Sequence, residues 1–188
     1  MFLRTGSSAR IVGLVLGLSG FLPAAVFPRF TAEELTARSQ LIVQGTVVRS
    51  WAAWDSDHQY IWTHYQVNLS DVIRGANAAS LTVSEPGGSL DGITQVNTGA
   101  ISYTPGESDI LFLFQVPNGY WRTAGGPQGK FAVESGGRVR GGASTAVYAE
   151  RAGRAPSGTA LTSLDGLTLS DFKNRVRQLA VAHPFQEQ

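Results

Sequence analysis

Two runs of alternating hydrophobic and polar residues lie on either side of a short polar segment and predict a long β-hairpin. Residues 41–51 and 60–69 alternate close to a period of two, which is typical of strands with one buried face. The segment between them, Asp55-Ser56-Asp57-His58, favours a turn. On the second strand we expect one face to carry Ile61, Thr63, Tyr65, Val67 and Leu69, and the other to carry Trp62, His64, Gln66 and Asn68.

Shorter strands are predicted beyond the hairpin. Residues 71–75 continue the second strand as far as Gly75. Residues 110–114 are apolar without interruption, which is typical of a strand buried on both faces. Residues 81–84, 120–123 and 130–133 form further short runs bounded by glycine and proline. These segments predict a mainly β fold.

A helix is predicted near each end of this β-rich region. Thr31-Ala32-Glu33-Glu34 is a capping-box pattern, which opens a short helix at residues 32–39. An amphipathic helix is predicted from Ser170 to Ala182. Its apolar stripe consists of Leu169, Phe172, Val176 and Leu179.

The N-terminal segment has the features of a secretory signal peptide. Arg4 and Arg10 provide positive charge, and residues 11–22 form an apolar run too short to span a membrane. We expect a signal peptide at 1–26, cleaved between Ala24 and Phe27, or an uncleaved N-terminal anchor as the alternative. The expected location is periplasmic or extracellular, with no membrane span after cleavage. The remaining parts are a β domain at 30–133, a glycine-, serine- and alanine-rich loop or linker at 134–163, and the C-terminal helix at 164–183.

The composition of this chain of 188 residues excludes several kinds of functional site. It contains no cysteine, which excludes disulfides, thiolate metal sites, cysteine nucleophiles and lipid attachment to cysteine. The formal net charge of +1 provides no general attraction to nucleic acid, so we expect no nucleic-acid partner. No nucleophile elbow or phosphate-binding loop occurs in the sequence. We therefore predict no catalytic residues and no cofactor.

Two of the histidines are candidate metal ligands. His58 and His64 are six residues apart, close to Asp55 and Asp57. Asp57, His58 and His64 could coordinate zinc if they converged, but a polar turn followed by a solvent-facing histidine is the favoured interpretation. No metal site is predicted.

Aromatic residues concentrate at the end of the predicted hairpin and mark its candidate contact surface. They are Trp51, Trp54, Tyr60 and Trp62. Aromatic pairs stabilise hairpins, and an exposed aromatic patch also suits contact with a carbohydrate or a protein. We expect a non-enzymatic binding or accessory domain. The alternatives are a metal-dependent hydrolase that uses the His58/His64 hairpin and a purely structural component of the cell envelope.

Several segments together resemble a class of uncharacterised bacterial exported β-domain proteins. The similar segments are Ser39–Val47, Val67–Gly75, Thr82–Gly88, Pro105–Leu113 and Gly125–Phe131. The resemblance covers residues 30–133 together with the closing helix, and it implies almost nothing about activity.

The order of the strands is also similar, more weakly, to the OB barrel of the netrin and metalloproteinase-inhibitor type. The fold class that this implies is a small antiparallel OB-like barrel, flanked by a short N-terminal helix and a C-terminal amphipathic helix. Those domains depend on an N-terminal cysteine and disulfides, and this chain has no cysteine. The resemblance therefore implies only the shape of the barrel and not inhibition.

Overall fold

The computed structural model describes residues 27–97, 99–141, 148–149 and 160–187. The predicted signal peptide at 1–26 lies outside the described residues, as do 142–147 and 150–159 of the predicted loop or linker. Of the described helices, none is long and apolar enough to cross a membrane.

The fold is mainly β, with one short helix before the main sheet and one longer helix at the C-terminal end. Helix α1 spans Ala32–Ala37 and α2 spans Leu169–Ala182. The first strands are β1 (Phe27–Pro28), β2 (Leu41–Trp54), β3 (Ile61–Arg74), β4 (Ser80–Pro86), β5 (Gly88–Leu90) and β6 (Ile93–Gln95). They are followed by β7 (Ser108–Gln115), β8 (Trp121–Thr123), β9 (Lys130–Val133), β10 (Val139–Gly141) and β11 (Tyr148–Ala149).

The predicted capping box at α1 is confirmed. The Thr31 hydroxyl accepts a hydrogen bond from the Glu34 amide at 3.2 Å, and the Glu34 carboxylate accepts one from the Thr31 amide at 3.0 Å. The helix ends at Ala37 rather than at residue 39, because Arg38 forms its C-cap. Helix α2 begins one residue earlier than predicted, since Thr168 is its N-cap.

Strands β2 and β3 form the predicted hairpin, and β2 continues three residues beyond the predicted end. Residues 52–54 pair with residues 61–63 although two alanines interrupt the alternation. The predicted division of β3 into two faces is confirmed. Tyr65 and Val67 lie in a buried cluster, whereas Trp62 and His64 contact other aromatic rings on the opposite face.

Among the described residues, the largest sheet has seven strands in the order β10-β9-β7-β2-β3-β4-β8. Strand β8 also pairs with β7. Each of β2, β3, β4, β8 and β7 therefore has two paired neighbours within this set of five. The contact between β4 and β8 is parallel, at Val83 and Trp121, and the other contacts in the set are antiparallel.

Two hydrophobic cores lie on opposite faces of these strands. The inner core is built mainly from residues of β2, β3, β4 and β7, and the helix-side core lies between the sheet and both helices. Fully buried residues of the inner core include Val43, Val47, Val67, Val83, Leu111 and Leu113, and those of the helix-side core include Leu35, Ile42, Ile110, Phe131, Phe172 and Val176. Strand β7 contributes to both cores, which confirms the prediction for residues 110–114.

Part of the glycine-rich stretch predicted as a loop or linker belongs to the sheet. Val139–Gly141 forms β10 and pairs with β9. Val139 is 1% exposed and packs in the helix-side core, and its amide donates to the carbonyl oxygen of Leu167 at 2.9 Å. Val139, which lies between Arg138 and Arg140, therefore anchors β10 beside the start of α2.

The guanidinium group of Arg74 joins the C-terminal ends of both helices to the end of β3. It donates to the carbonyl oxygens of Thr36 and Ser39 beside α1 and to those of Ala180 and His183 beside α2. The last carbonyl groups of a helix have no partner within the helix and carry partial negative charge. A single cation therefore satisfies two helix ends at once.

We expect Arg74→Met to lower the free energy of unfolding by about 3 kcal/mol, because four partly buried carbonyl groups lose a charged donor. Urea denaturation measures this loss. The control is Arg177→Met, which removes an ion pair between an exposed arginine and Asp71 and should cost less than about 1 kcal/mol. Equal losses for the two variants would contradict the role of Arg74.

Asp109 is a buried carboxylate at the start of β7. Its side chain is 1% exposed, and neither carboxylate oxygen has a hydrogen-bond partner among the described residues. The nearest cation is Lys130, with Nζ 3.7 Å from Oδ2. Burial raises the pKa of Asp109 from 3.8 to about 6, against the attraction of Lys130.

This raised pKa predicts how stability depends on pH. Between pH 4 and 6 the unfolded chain releases the proton of Asp109 while the folded protein retains it, so stability falls as the pH rises. We expect Asp109→Asn to be more stable than the parent by roughly 2–3 kcal/mol at pH 7 and equally stable below pH 4. Chemical denaturation across this range measures the difference, and a constant difference would refute the assignment.

Candidate functional site

A β-bulge in β2 directs two large side chains to the outer face of the sheet. Val47 lies opposite Val67, and Arg49 lies opposite Gln66, so Val48 is an extra residue between two consecutive pairs. In a regular strand Val47, Arg49 and Trp51 would share one face. The bulge reverses the alternation, and Arg49 and Trp51 therefore face away from the inner core that contains Val47.

Four rings in contact form an aromatic row on this outer face: Trp51, His64, Tyr120 and Trp62. Trp51 stacks on His64 with ring centroids 5.3 Å apart and planes inclined by 28°. Tyr120 meets His64 edge-on at 5.3 Å and Trp62 edge-on at 5.1 Å. The row crosses from β2 to β3 and continues to the turn before β8.

An arginine lies at each end of the aromatic row. The Arg49 guanidinium is 4.6 Å from the centroid of the Trp51 ring, and the Arg122 guanidinium is 5.8 Å from that of Trp62. Both contacts are within the range of cation–π interactions. The row therefore presents apolar ring edges between two positive charges.

His64 is the buried member of the row, so the prediction that it faces solvent is wrong. It is 7% exposed, and its Nδ1 lies 2.8 Å from the Ser84 hydroxyl oxygen. Burial lowers the pKa of His64 below 6.5, which favours the uncharged ring at neutral pH. Ser84 is 1% exposed, and the contact with its hydroxyl fixes the orientation of the ring.

A cavity lies beside each half of the aromatic row, and each has a volume of about 550 Å³. The cavity beside Trp62 is lined by Tyr60, Pro86, Gln95, Asn97 and Arg122, among others. The cavity beside His64 and Tyr120 is lined by Leu81, Thr82, Ser84 and the loop after β3, among others. A ligand lying along the row would therefore find a recess at either side.

The four aromatic residues that the sequence indicates as a contact surface do not all lie together in the structure. Trp51 and Trp62 belong to the aromatic row, and Tyr60, which is 60% exposed, lines the cavity beside Trp62. Trp54 instead pairs with Ile61 on the inner-facing side of the hairpin, stacks on His58 and donates from Nε1 to Asp91 at 3.2 Å.

Sequence reasoning missed Tyr120 and both arginines. Tyr120 lies more than fifty residues beyond Trp62 in the sequence, and only the pairing of β8 with β4 and β7 brings it to the row. His64, a candidate metal ligand in the sequence, acts in the row as an aromatic ring. The alternation of β3 places His64 on the same face as Trp62, and this pattern is the sequence feature that indicates its membership of the row.

The histidines and aspartates of the hairpin do not converge. His58 stacks on Trp54, whereas His64 contacts Trp51, Tyr120 and Ser84. Within the part of the chain that the structure describes, no group of three histidine, cysteine, aspartate or glutamate residues could hold a metal ion.

Comparisons with known proteins provide no indication of function. No protein-family model matches the chain, and no curated protein matches it.

Proposed function

We propose that this protein is an exported, non-enzymatic binding domain built on an OB-like barrel, with the aromatic row as its contact surface. The ring of pairings among β2, β3, β4, β8 and β7 supports the barrel, because OB folds are five-stranded Greek-key barrels. OB folds bind ligands on the face of their second and third strands and on the adjoining loops. In that order His64 and Trp62 lie on the second strand, and Tyr120 lies in the loop before the fifth.

The single observation that carries the proposal is the aromatic row itself. Its rings form continuous contacts outside both hydrophobic cores. Trp51 remains 36% exposed, and large aromatic groups at a surface provide much of the binding energy where proteins meet ligands. The contact partner is a carbohydrate or a protein, for which partly exposed tryptophan and tyrosine edges are well suited.

The proposed export rests on residues 1–26. A positively charged start followed by an apolar run is the pattern of a secretory signal peptide. The resemblance to bacterial exported proteins supports the same location, in the periplasm or outside the cell. A bacterial origin is part of this proposal.

Expression of the full chain in a bacterial host tests export. We expect the protein in the periplasm or medium, with a new N-terminus between Ala24 and Phe27 that mass spectrometry identifies. A matched chain in which Leu14 and Leu16 are changed to Arg should stay in the cytoplasm with its N-terminal segment intact, because charge in the apolar run prevents export. Cytoplasmic retention of the unaltered chain would refute the proposal.

Arrays of glycans and peptides, probed with the folded protein, test the binding function. We expect Trp51→Ala to weaken binding to any captured ligand by tenfold or more, since an aromatic anchor is lost. The matched control is Phe185→Ala, because Phe185 is also 36% exposed but lies beyond α2. Capture that Trp51→Ala leaves unchanged, or the absence of any capture, would contradict the proposal.

A further inference from the structure

The cavity beside Trp62 combines an aromatic wall with a partly paired guanidinium group. Trp62 and the exposed ring of Tyr60 line it, together with the amide side chains of Gln95 and Asn97 and the side chain of Arg122. Rings provide a surface for a flat ligand unit, and polar groups fix its orientation.

Arg122 has donor capacity that the described residues do not use. Its Nη2 lies 3.5 Å from Oε2 of Glu85, a long contact. Its Nε is buried and has no hydrogen-bond partner among the described residues, while 32% of the side chain is exposed. A guanidinium group carries five N–H donors in a plane and pairs best with the two oxygens of a carboxylate.

Glu85 holds this guanidinium from the inner side of the sheet. Its side chain is 4% exposed. Its Oε1 accepts hydrogen bonds from the amide of Thr123 at 3.0 Å and from the hydroxyl of Thr123 at 2.8 Å. Glu85 is therefore fixed, and Arg122 is held between this buried acid on one side and the cavity on the other.

The positive charges of the row are widely spaced. Arg49 lies at one end, Arg122 lies at the other, and four uncharged rings separate them. A single-stranded nucleic acid carries a phosphate on every unit and is bound along a continuous basic groove. Two separated cations suit a chain that has acids at intervals and apolar ring faces between them.

We propose that the aromatic row binds an acidic polysaccharide, with a sugar carboxylate paired to Arg122 in the cavity beside Trp62. This inference rests on the proposed binding function and names its ligand class. The sugar rings lie along Trp62 and Tyr120, and Arg49 receives a second acid at the far end.

Isothermal titration of the exported protein tests the inference with oligogalacturonate and oligoalginate, each compared with its own methyl ester. The ester keeps the sugar rings and removes the negative charge. We expect the acid forms to bind about tenfold tighter or more, because a charge-assisted pair is lost in the ester. Arg122→Gln should reduce binding of the acid forms to the level of the esters.

Further variants separate the charge of Arg122 from its structural role. Arg122→Lys keeps a positive charge beside Glu85 and loses the planar fork, so we expect an intermediate loss of affinity for the acid forms. Arg140→Gln removes an exposed arginine that pairs with Glu134 on another part of the sheet, and binding should stay unchanged. Trp62→Ala should weaken acid and ester forms alike. Thermal unfolding of each variant verifies that it is folded.

Other results would overturn the inference. Equal affinity for acid and ester would show that the ligand carboxylate does not contribute to binding, and would overturn the inference. Binding would then depend on Trp62 and not on Arg122. Tighter binding of oligo-dT with the same number of charges would assign the face to single-stranded nucleic acid. Binding of none of these probes would refute an acidic polysaccharide, whereas the binding function itself is decided by the Trp51→Ala array experiment.

Discussion

The packing of this protein depends on one guanidinium group, that of Arg74, which holds the C-terminal ends of two helices at the end of a central strand. Helix α1 has six residues, too few to be stable alone, and α2 follows β3 by almost one hundred residues. Gly75 makes the adjoining close approach feasible, because its φ is +102° and a Cβ atom there would lie 2.5 Å from Leu41 Cδ1. These contacts hold both helices against the sheet, and the helix-side core forms between them.

Polar contacts join segments that lie far apart in the sequence. Lys130 pairs with Glu107 at 2.8 Å, and so joins two of these segments. Gln128 is 2% exposed, accepts a hydrogen bond from the amide of Phe30 at 2.9 Å and donates to the carbonyl of Pro28.

The bulge in β2 decides which of its residues face the inner core and which face outward. The inner side of the hairpin builds a core with Val47 and Val67, and its outer side carries Trp51. The bulge at Val48 makes this division, and Glu85 connects the two sides because it is buried and also faces Arg122. The proposed contact surface is thus supported from within, by His64 fixed on Ser84 and Arg122 held by Glu85.

The sequence by itself determined the local elements of this protein. The capping box at Thr31, the alternation along β3, the buried strand at residues 110–114 and the amphipathic helix all follow from the period of hydrophobic residues and from side chains three residues apart. The sequence also pointed to Trp51 and Trp62 as candidate contact residues, and both are members of the aromatic row. Three features appear only in the tertiary structure. They are the bulge at Val48, the contact of Tyr120 with the rings of β3, and the hydrogen bonds of Arg74 to the ends of both helices. The physical reason is that the spacing of hydrophobic residues along the chain indicates which residues of one helix or strand are buried. Bulges and contacts between distant segments depend instead on which strands pair and in what register.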